Sequence, residues 1–292
     1  MLAVNWALTI RDRFGVVAGL HRRIISPVGV ETRRVSLDSV DAVVADLEAI
    51  KPRFVIHTAA LANVDGCESD PVTARRINAE LAGNVAGACE RCGVQMVHIS
   101  TDHLFSGDVP LVDEDQPPDP VNEYARSKAD AESLVLAANP SALVIRTDFF
   151  CWGPLYRSSF SDTVIASLRA GREVLLFQDF FFTPLLAETV ANATHDLLDL
   201  EATGIINVAG DDRISKWDFG LMLAEEFGLD AGLLRKGVIS DRPTLVQRPH
   251  DMSLSNTKAC KLLGRKFGGV RREIARLHEQ EEQGIAREIQ TL

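Results

Sequence analysis

The sequence predicts an α/β fold built on a doubly wound parallel sheet, and three observations support this prediction. Short apolar runs that suit buried strands alternate with longer segments of helical periodicity over the first half of the chain. Each predicted strand is apolar throughout, as expected for strands that helices cover on both faces. The chain has 292 residues, of which 46% are hydrophobic, so it can bury a large core.

The predicted elements follow one another without repeats or a clear linker. Asp70 and Pro71 provide an N-cap and a first-turn proline for a long helix, and Ser215 with Asp218 forms a capping box for a later one. Helices are predicted at 2–14, 40–50, 71–92, 159–170, 187–200, from about 215 to 228 and from about 270 onward. Strands are predicted at 16–20, 34–37, 54–58, 94–100, 142–147, 173–177 and 204–209.

Composition and charge exclude several classes of function. The 31 basic and 41 acidic residues give a net charge of −10, which disfavours binding to nucleic acid. No apolar run reaches the ~18 residues of a membrane span, and no signal peptide is recognisable, so we expect a cytoplasmic protein. The CxxC of Cys89 and Cys92 lies in a helical pattern without further metal ligands, which favours buried packing over a zinc or redox site.

A tyrosine and a lysine stand four residues apart in the first turns of a predicted helix. Tyr124 and Lys128 therefore lie on one helical face. A phenol with a pKa of ~10 is a poor catalyst at neutral pH, and a nearby ammonium favours its ionised form. The pair is a candidate proton donor and the group that tunes it, although an exposed helix face would show the same spacing.

A hydroxyl group is expected beside this tyrosine. Ser100, Thr101 and Asp102 directly follow a predicted strand and so lie at the carboxyl end of a parallel sheet, where ligands bind in open α/β folds. A hydroxyl at this edge can donate a hydrogen bond to a carbonyl oxygen that the tyrosine protonates.

At this point the chain resembles the extended short-chain dehydrogenase/reductase family and, within it, the dTDP-4-dehydrorhamnose reductase group. The resemblance covers nearly the whole chain in order, and it implies a Rossmann-type sheet with a smaller, interleaved substrate-binding lobe. The matching segments are 55–60, Val64-Asp65, Cys67-Glu68, Asn78, 100–107, Pro120, Asn122, Tyr124, Ser127-Lys128, Arg146-Thr147, Arg248-Pro249 and Ser253-Leu254.

The resemblance implies a role for each matching site residue. Thr101, Tyr124 and Lys128 match the catalytic hydroxyl, the proton donor, and the lysine that lowers the pKa of the tyrosine and holds the nicotinamide ribose. Ala59 and Ala60 match a turn along the cofactor, and Asp38 matches a position near the adenine. Asp102, His103, Phe149 and Arg248 are expected to bind substrate, with Arg248 at the nucleotide end, where a planar guanidinium suits a phosphate or base.

The implied reaction is hydride transfer from a nicotinamide to the 4-keto carbon of a nucleotide-linked deoxysugar. His21, Arg22 and Arg23 follow the strand at which such folds choose their cofactor, and paired arginines favour the 2′-phosphate of NADPH over NADH. A solvated basic turn is the alternative explanation of the arginines. His103 and Phe149 replace a tyrosine and a tryptophan that are common in the group, which leaves the sugar and its nucleotide open.

The first strand of the family and its glycine-rich phosphate loop are missing from the numbered sequence. That strand is central in the usual order, so we expect a sheet that is gapped, repacked or unstable. Either Met1 is an internal methionine of a longer enzyme, or the chain is a short form that binds no cofactor. We favour the first, because a chain without cofactor has no use for Thr101, Tyr124 and Lys128.

Two other functions stay open at this stage. One is an epimerase or dehydratase of the same family, which is disfavoured because no added acid-base pair is evident beside Thr101. The other is a non-enzymatic subunit similar to the regulatory β-subunit of methionine adenosyltransferase. We expect residues 1–149 with 180–206 to bind the dinucleotide and residues 150–179 with 207–292 to bind the substrate. The expected partner is a nucleotide-sugar, and the sequence is compatible with a homodimer. No metal site is predicted.

Overall fold

The computed structural model describes residues 1–241 and 246–292. Strands and helices alternate through the N-terminal half. Its elements are α1 (Leu2–Ile10), β1 (Val17–Leu20), β2 (Glu31–Arg34), α2 (Val40–Ile50), β3 (Phe54–His57), α3 (Val64–Ser69), α4 (Pro71–Arg75), α5 (Leu81–Cys92), β4 (Gln95–Ile99), α6 (Glu123–Ala138) and β5 (Leu143–Arg146).

The C-terminal half contains shorter strands between longer helices. Its elements are β6 (Phe149–Phe150), α7 (Phe160–Arg169), β7 (Val174–Phe177), β8 (Phe181–Phe182), β9 (Leu185–Leu186), α8 (Ala187–Asp199), β10 (Gly204–Asn207), β11 (Ile214–Ser215), α9 (Lys216–Glu226), β12 (Leu234–Gly237), α10 (Thr257–Leu263), α11 (Val270–Glu282) and α12 (Ile285–Gln290).

The main sheet has four parallel strands in the order β10-β5-β4-β3. Its two central strands are buried because helices cover both faces, which confirms the predicted α/β class. Alternate residues point to opposite faces, so Val97 packs towards α1 and α8 while Met96 and Val144 pack towards α2, α5 and α6.

Strands β1 and β2 form a separate two-stranded parallel sheet. In the part of the chain that the structure describes, β1 does not pair with β3, and a cleft of about 480 Å³ lies between them. The expected gap at the centre of the sheet is therefore confirmed. Phe54, Val55 and Ile56 along this edge are only half-buried, which leaves their peptide groups accessible to water.

Two element boundaries differ from the sequence prediction. The strand expected at 34–37 lies at Glu31–Arg34, where β1 is its partner; Val35 beyond it lines the cleft and Leu37 packs on the core. The single helix expected at 71–92 is α4 and α5 joined by a π-helical segment, Arg76–Glu80. This widened turn contains Asn78, which is fully buried and hydrogen-bonds outside its own helix.

The remaining strands pair outside the main sheet. Strand β12 pairs with β7 and β11 with β8, and aromatic side chains including Phe182 and Phe219 form their shared core. The division into dinucleotide-binding and substrate-binding residues stays a prediction. In the described parts of the chain, no helix has the length and apolar character needed to cross a membrane.

Candidate active site

A small cavity of about 180 Å³ lies at the carboxyl ends of β4 and β5. Thr101, which follows β4, and Tyr124, in the first turn of α6, both line it. Of the predicted substrate-binding residues, Asp102, His103 and Phe149 also line it. The parallel sheet brings these residues together because the carboxyl ends of its strands meet at one edge.

Helix α6 is held in place by polar contacts at its first turn. The Asn122 side chain caps the helix by accepting from the Ala125 N–H at 2.9 Å. Ser127 Oγ donates to the Tyr124 carbonyl at 2.7 Å and accepts from Asn78 Nδ2 at 2.8 Å. Asn78 in turn accepts from the Leu61 N–H at 2.7 Å. The orientation of Tyr124 is thus tied to the loop after β3.

Tyr124 is buried, with the His103 ring edge-on at 5.5 Å between centroids. Burial raises the pKa of Tyr124 to about 12, and a hydrogen bond with the Thr101 hydroxyl acts in the opposite direction. The phenol is therefore neutral near pH 7 and keeps its proton for a stronger base, such as an alkoxide that develops beside it.

Lys128 lies one turn further along α6 and is only 2% exposed. Its Nζ donates to the Ile99 carbonyl at 2.7 Å and lies 3.3 Å from His98 Nε2. Burial lowers the pKa of Lys128 to about 8, while Glu132 raises it. The ammonium points to strand β4 and burial dominates at the phenol, so the lowering of the Tyr124 pKa by Lys128 stays a prediction.

Several polar atoms around the small cavity lack hydrogen-bond partners among the described residues. They are Ser100 Oγ, Asp102 Oδ2, His103 Nδ1 and Thr147 Oγ1, and all four residues line the cavity. A buried polar group without a partner costs ~1–3 kcal/mol. The side chains of these residues make the cavity wall polar, which suits a ligand with hydroxyl and carbonyl groups better than an apolar ligand.

A second carboxyl group, which the sequence analysis did not identify, lies beside the predicted Asp102. Asp148, which follows Thr147 at the end of β5, lines the cavity together with Asp102. Burial and the neighbouring Asp148 charge raise the pKa of Asp102 well above its usual range. The expectation that no added acid-base pair lies beside Thr101 is therefore wrong. The position of Asp148 at a strand end, equivalent to that of Asp102, is the signal that could have found it.

Lys216 at the start of α9 is a second functional candidate that the sequence did not suggest. Its Nζ lies 3.7 Å from Asp148 and 3.4 Å from the centre of the Phe182 ring. Burial lowers the pKa of Lys216, and the Asp148 and Asp102 charges oppose this shift. Helix α9 thus contributes a cation beside the two carboxyl groups at the ends of β4 and β5.

Arg248 is not among the residues that line the small cavity. Its Nη2 donates to Asp65 at 2.9 Å, although its charge is near enough to lower the pKa of His103, whose dominant shift comes from burial. Its assignment to the nucleotide end of a substrate stays a prediction.

The predicted cofactor residues lie around the larger cleft and beyond β1. Ala59 lines the cleft, and Ala60 follows it at the end of β3. Arg22 and Arg23 are exposed after β1, and the Arg23 guanidinium stacks on Tyr156 at 3.6 Å. Asp38 is exposed and forms an ion pair with Arg76 at 3.0 Å. Their roles stay predictions.

The described residues are arranged in a way that suits the binding of a nicotinamide dinucleotide. Ala3 lines the cleft and Met1 lines the small cavity, so the first turn of α1 lies between the two spaces. A helix N-terminus favours a pyrophosphate at such a point, and Thr58 with Ala59 would border the adenosine end. In the described residues, no group of His, Cys, Asp and Glu side chains could hold a metal ion.

Comparison with known proteins gives the family of the chain. Residues 15–282 match the model of the RmlD substrate binding domain. The chain is 33% identical over 257 residues to the probable low-salt glycan biosynthesis reductase Agl14 of Haloferax volcanii, covering 86% of this chain and 85% of that protein. It is 28% identical to methionine adenosyltransferase 2 subunit beta of Pongo abelii, covering 77% and 69%.

A solved structure agrees with these sequence matches. The crystal structure of a hypothetical dTDP-4-dehydrorhamnose reductase from Sulfolobus tokodaii superposes with a TM-score of 0.79 at 30% identity, covering 91% of this chain and 92% of that one. The chain therefore belongs to the RmlD substrate binding domain family, whose reductases are NAD(P)-dependent oxidoreductases of the extended short-chain dehydrogenase/reductase type.

Proposed function

We propose that the protein uses NADPH to reduce the 4-keto carbon of a nucleotide-linked deoxysugar, as a step in making a surface polysaccharide or a related glycan. The main support is that Thr101 and Tyr124 line one small cavity, and that four other polar atoms of its lining residues lack partners among the described residues. The Haloferax volcanii relative, a probable glycan biosynthesis reductase, and the Sulfolobus tokodaii protein, a hypothetical dTDP-4-dehydrorhamnose reductase, support the same class of substrate.

Each residue has one task in this reaction. A nicotinamide held in the cleft would supply the hydride that the carbonyl carbon accepts. Thr101 donates a hydrogen bond to the carbonyl oxygen, and Tyr124 gives that oxygen its proton, so the ketone becomes a secondary alcohol. Lys128 supplies positive charge behind the tyrosine and a donor for the nicotinamide ribose.

The walls of the small cavity suit a deoxysugar. Phe149 offers an apolar surface to a ring carbon without a hydroxyl group, while His103 and Asp102 offer polar atoms to the remaining hydroxyl groups. Arg248 lies beyond His103 and would meet the nucleotide if it exchanged its contact with Asp65 for a phosphate. The preference for NADPH rests on Arg22 and Arg23, which are exposed beyond β1.

The direct test is a panel of nucleotide-linked 4-keto sugars that vary in sugar and in nucleotide, assayed by the loss of NADPH absorbance and by product analysis. We expect turnover with at least one deoxysugar and a product that carries a new hydroxyl group at carbon 4. Binding of NADPH without turnover of any member would contradict the assigned substrate class.

A second candidate is an epimerase or dehydratase, which the Asp102 and Asp148 pair favours because it adds acid-base groups beside Thr101. Such enzymes change their substrate without net consumption of NADPH. Conversion of a sugar nucleotide with no loss of NADPH absorbance would therefore favour this candidate over the reductase.

A binding subunit without catalysis is favoured by the cleft between β1 and β3, since pairing of the sheet is interrupted where the cofactor would lie. The match to methionine adenosyltransferase 2 subunit beta supports it as well. A fluorescence titration with NADPH separates the two: saturable binding supports the reductase, and its absence supports the subunit.

A further inference from the structure

Three buried titratable side chains form a continuous chain behind the catalytic tyrosine. Lys128 Nζ lies 3.3 Å from His98 Nε2, and His98 Nδ1 lies 3.1 Å from His57 Nδ1. The two imidazole rings stack at 5.3 Å between centroids, on paired positions of β3 and β4. The exposed fractions are 2% for Lys128, 0% for His98 and 5% for His57. The proposed reaction assigns no role to either histidine.

With Lys128 charged, the two observed contacts together assign where each imidazole proton sits. An ammonium group can only donate, so His98 Nε2 must accept and its proton must be on Nδ1. His98 Nδ1 then donates to His57 Nδ1, which leaves the His57 proton on Nε2. The opposite tautomer of His98 would place two N–H groups against each other at Lys128.

Both rings are neutral near pH 7, so each carries a single proton. The assignment of these protons above therefore applies at that pH. Burial and, to a smaller extent, the Lys128 charge lower the pKa of His57 to about 3. Burial also places the pKa of His98 well below its usual value.

The charged side chains near Lys128 are paired with one another, so the imidazole of His98 is a main partner of the ammonium. Glu132, one turn further along α6, raises the pKa of Lys128, but its carboxylate is bound by Arg146 at 2.9 and 2.7 Å. On the helices packed against α6, Arg75 pairs with Glu80 and with Asp130 at the surface. Among the described residues, the ammonium therefore has two direct acceptors, His98 Nε2 and the Ile99 carbonyl.

We propose that His98 and His57 are positioning residues that keep Lys128 charged and aimed at the end of β4, with His57 acting through the tautomer of His98. The inference rests on the proposed function, in which Lys128 must be charged to support Tyr124 and the ribose. Two histidines are needed because an unpartnered His98 can place its proton on either nitrogen, and one of these forms cannot accept from the lysine.

The consequence is an alkaline limit on activity that the histidine pair controls. The ammonium is charged below its pKa of about 8 and loses its proton above it. Removal of an acceptor from the charged form lowers this pKa further. Activity that needs the ammonium is then lost at a lower pH.

The test is an NMR titration of Lys128, labelled at its terminal carbon and nitrogen, in the wild type and in His98→Leu and His98→Gln. We expect His98→Leu to lower the midpoint of the Lys128 titration by ~1–2 pH units. A shift of this size corresponds to the free energy that a hydrogen bond to a charged group usually contributes. His98→Gln should restore most of the shift, because its amide oxygen can replace Nε2 as the acceptor. An unchanged midpoint in a folded His98→Leu protein would overturn the proposal.

The role of His57 has its own measurement. Long-range proton–nitrogen spectra of the imidazole rings report the tautomer of His98 in the wild type and in His57→Leu and His57→Asn. We expect the Nδ1-protonated form in the wild type, a mixture in His57→Leu, and recovery in His57→Asn, whose amide oxygen can accept from Nδ1. A wild-type His98 protonated on Nε2 would overturn the proposal even if the leucine variants fail to fold.

These measurements separate the inference from the proposed function. The NMR midpoints and tautomers are determined without substrate. If they shift as expected while no 4-keto sugar is reduced, the histidine pair stands and the proposed reaction fails. If reduction occurs, the alkaline limb of kcat should move by the same number of pH units in His98→Leu, and a limb that stays in place would contradict the link to catalysis.

Discussion

The small cavity at the carboxyl edge of the sheet and the larger cleft along β1 and β3 differ in how the strands around them are paired. The small cavity lies at the ends of β4 and β5, which are hydrogen-bonded to neighbours on both sides and are buried. The larger cleft lies between β1 and β3, which are paired on one side only and are half-buried.

The residues proposed to transfer the proton and those expected to contact the cofactor therefore lie in regions with different strand pairing. Thr101 follows a strand held on both edges, so its hydroxyl has a fixed position relative to Tyr124. Ala59 follows a strand with one free edge that faces the cleft. We infer that the first region is rigid in the isolated chain and that the second is the weaker part of the sheet.

The largest expected effect concerns the small cavity. Tyr124→Phe removes the proton donor and should lower the turnover of a 4-keto sugar nucleotide by ~10²–10⁴-fold, with NADPH affinity nearly intact. Tyr156→Phe is the matched control, since the only other tyrosine of the chain is partly exposed and keeps its ring against Arg23. Turnover within a few-fold of wild type in Tyr124→Phe would remove the tyrosine from its assigned role.

The second prediction concerns the buried ion pair behind the same region. Glu132→Gln leaves Arg146, which is 1% exposed, without its counter-charge, and should lower the free energy of unfolding by ~3–5 kcal/mol in urea denaturation. The control is Glu123→Gln, which breaks the partly exposed pair with Arg126 on the same helix and should cost less than ~1 kcal/mol. Equal losses of unfolding free energy in the two variants would mean that water reaches the Glu132–Arg146 pair.

The third prediction compares the two halves of the sheet by amide hydrogen exchange. The N–H groups of β3 should exchange at least ~10-fold faster than those of Val97–Ile99 in β4, because one edge of β3 faces the cleft. Strand β10, the opposite edge of the same sheet, is the reference for an edge strand outside the cleft. Equal protection in β3 and β4 would show that the cleft closes in solution.

The smallest expected effect lies at the far end of the cleft. Replacement of Arg22 and Arg23 by alanine should reduce the preference for NADPH over NADH by ~5–10-fold, because exposed charges contribute about 1 kcal/mol each at most. Arg91→Ala, at the end of α5, is the control for a general loss of positive charge. An unchanged preference in the Arg22 and Arg23 variants would assign these arginines to a solvated turn.

Much of the fold was predictable because local patterns determine it. Apolar runs identify buried strands, and Asp70 with Pro71 and Ser215 with Asp218 identify the starts of helices, since capping depends on nearby residues only. The predicted element boundaries were wrong where contacts between residues far apart in the chain determine the structure. Strand β2 lies at Glu31–Arg34 because β1 pairs there, and the helix after Pro71 widens around Asn78, which bonds to the Leu61 loop and to Ser127.

The sequence by itself determined the strand order along the chain, the hydroxyl at the end of β4, the tyrosine and lysine on one face of α6, and the interruption of the sheet. The first three depend on residue type and spacing, and the interruption of the sheet follows from the resemblance to a family whose first strand is missing from the numbered sequence. Only the tertiary structure decided that Lys128 turns to His98 and Ile99, that His57 supports His98, and that Asp148 and Lys216 join Asp102. The reason is that hydrogen-bond partners and desolvation depend on which strands and helices pack together, and these neighbours are far apart in the chain.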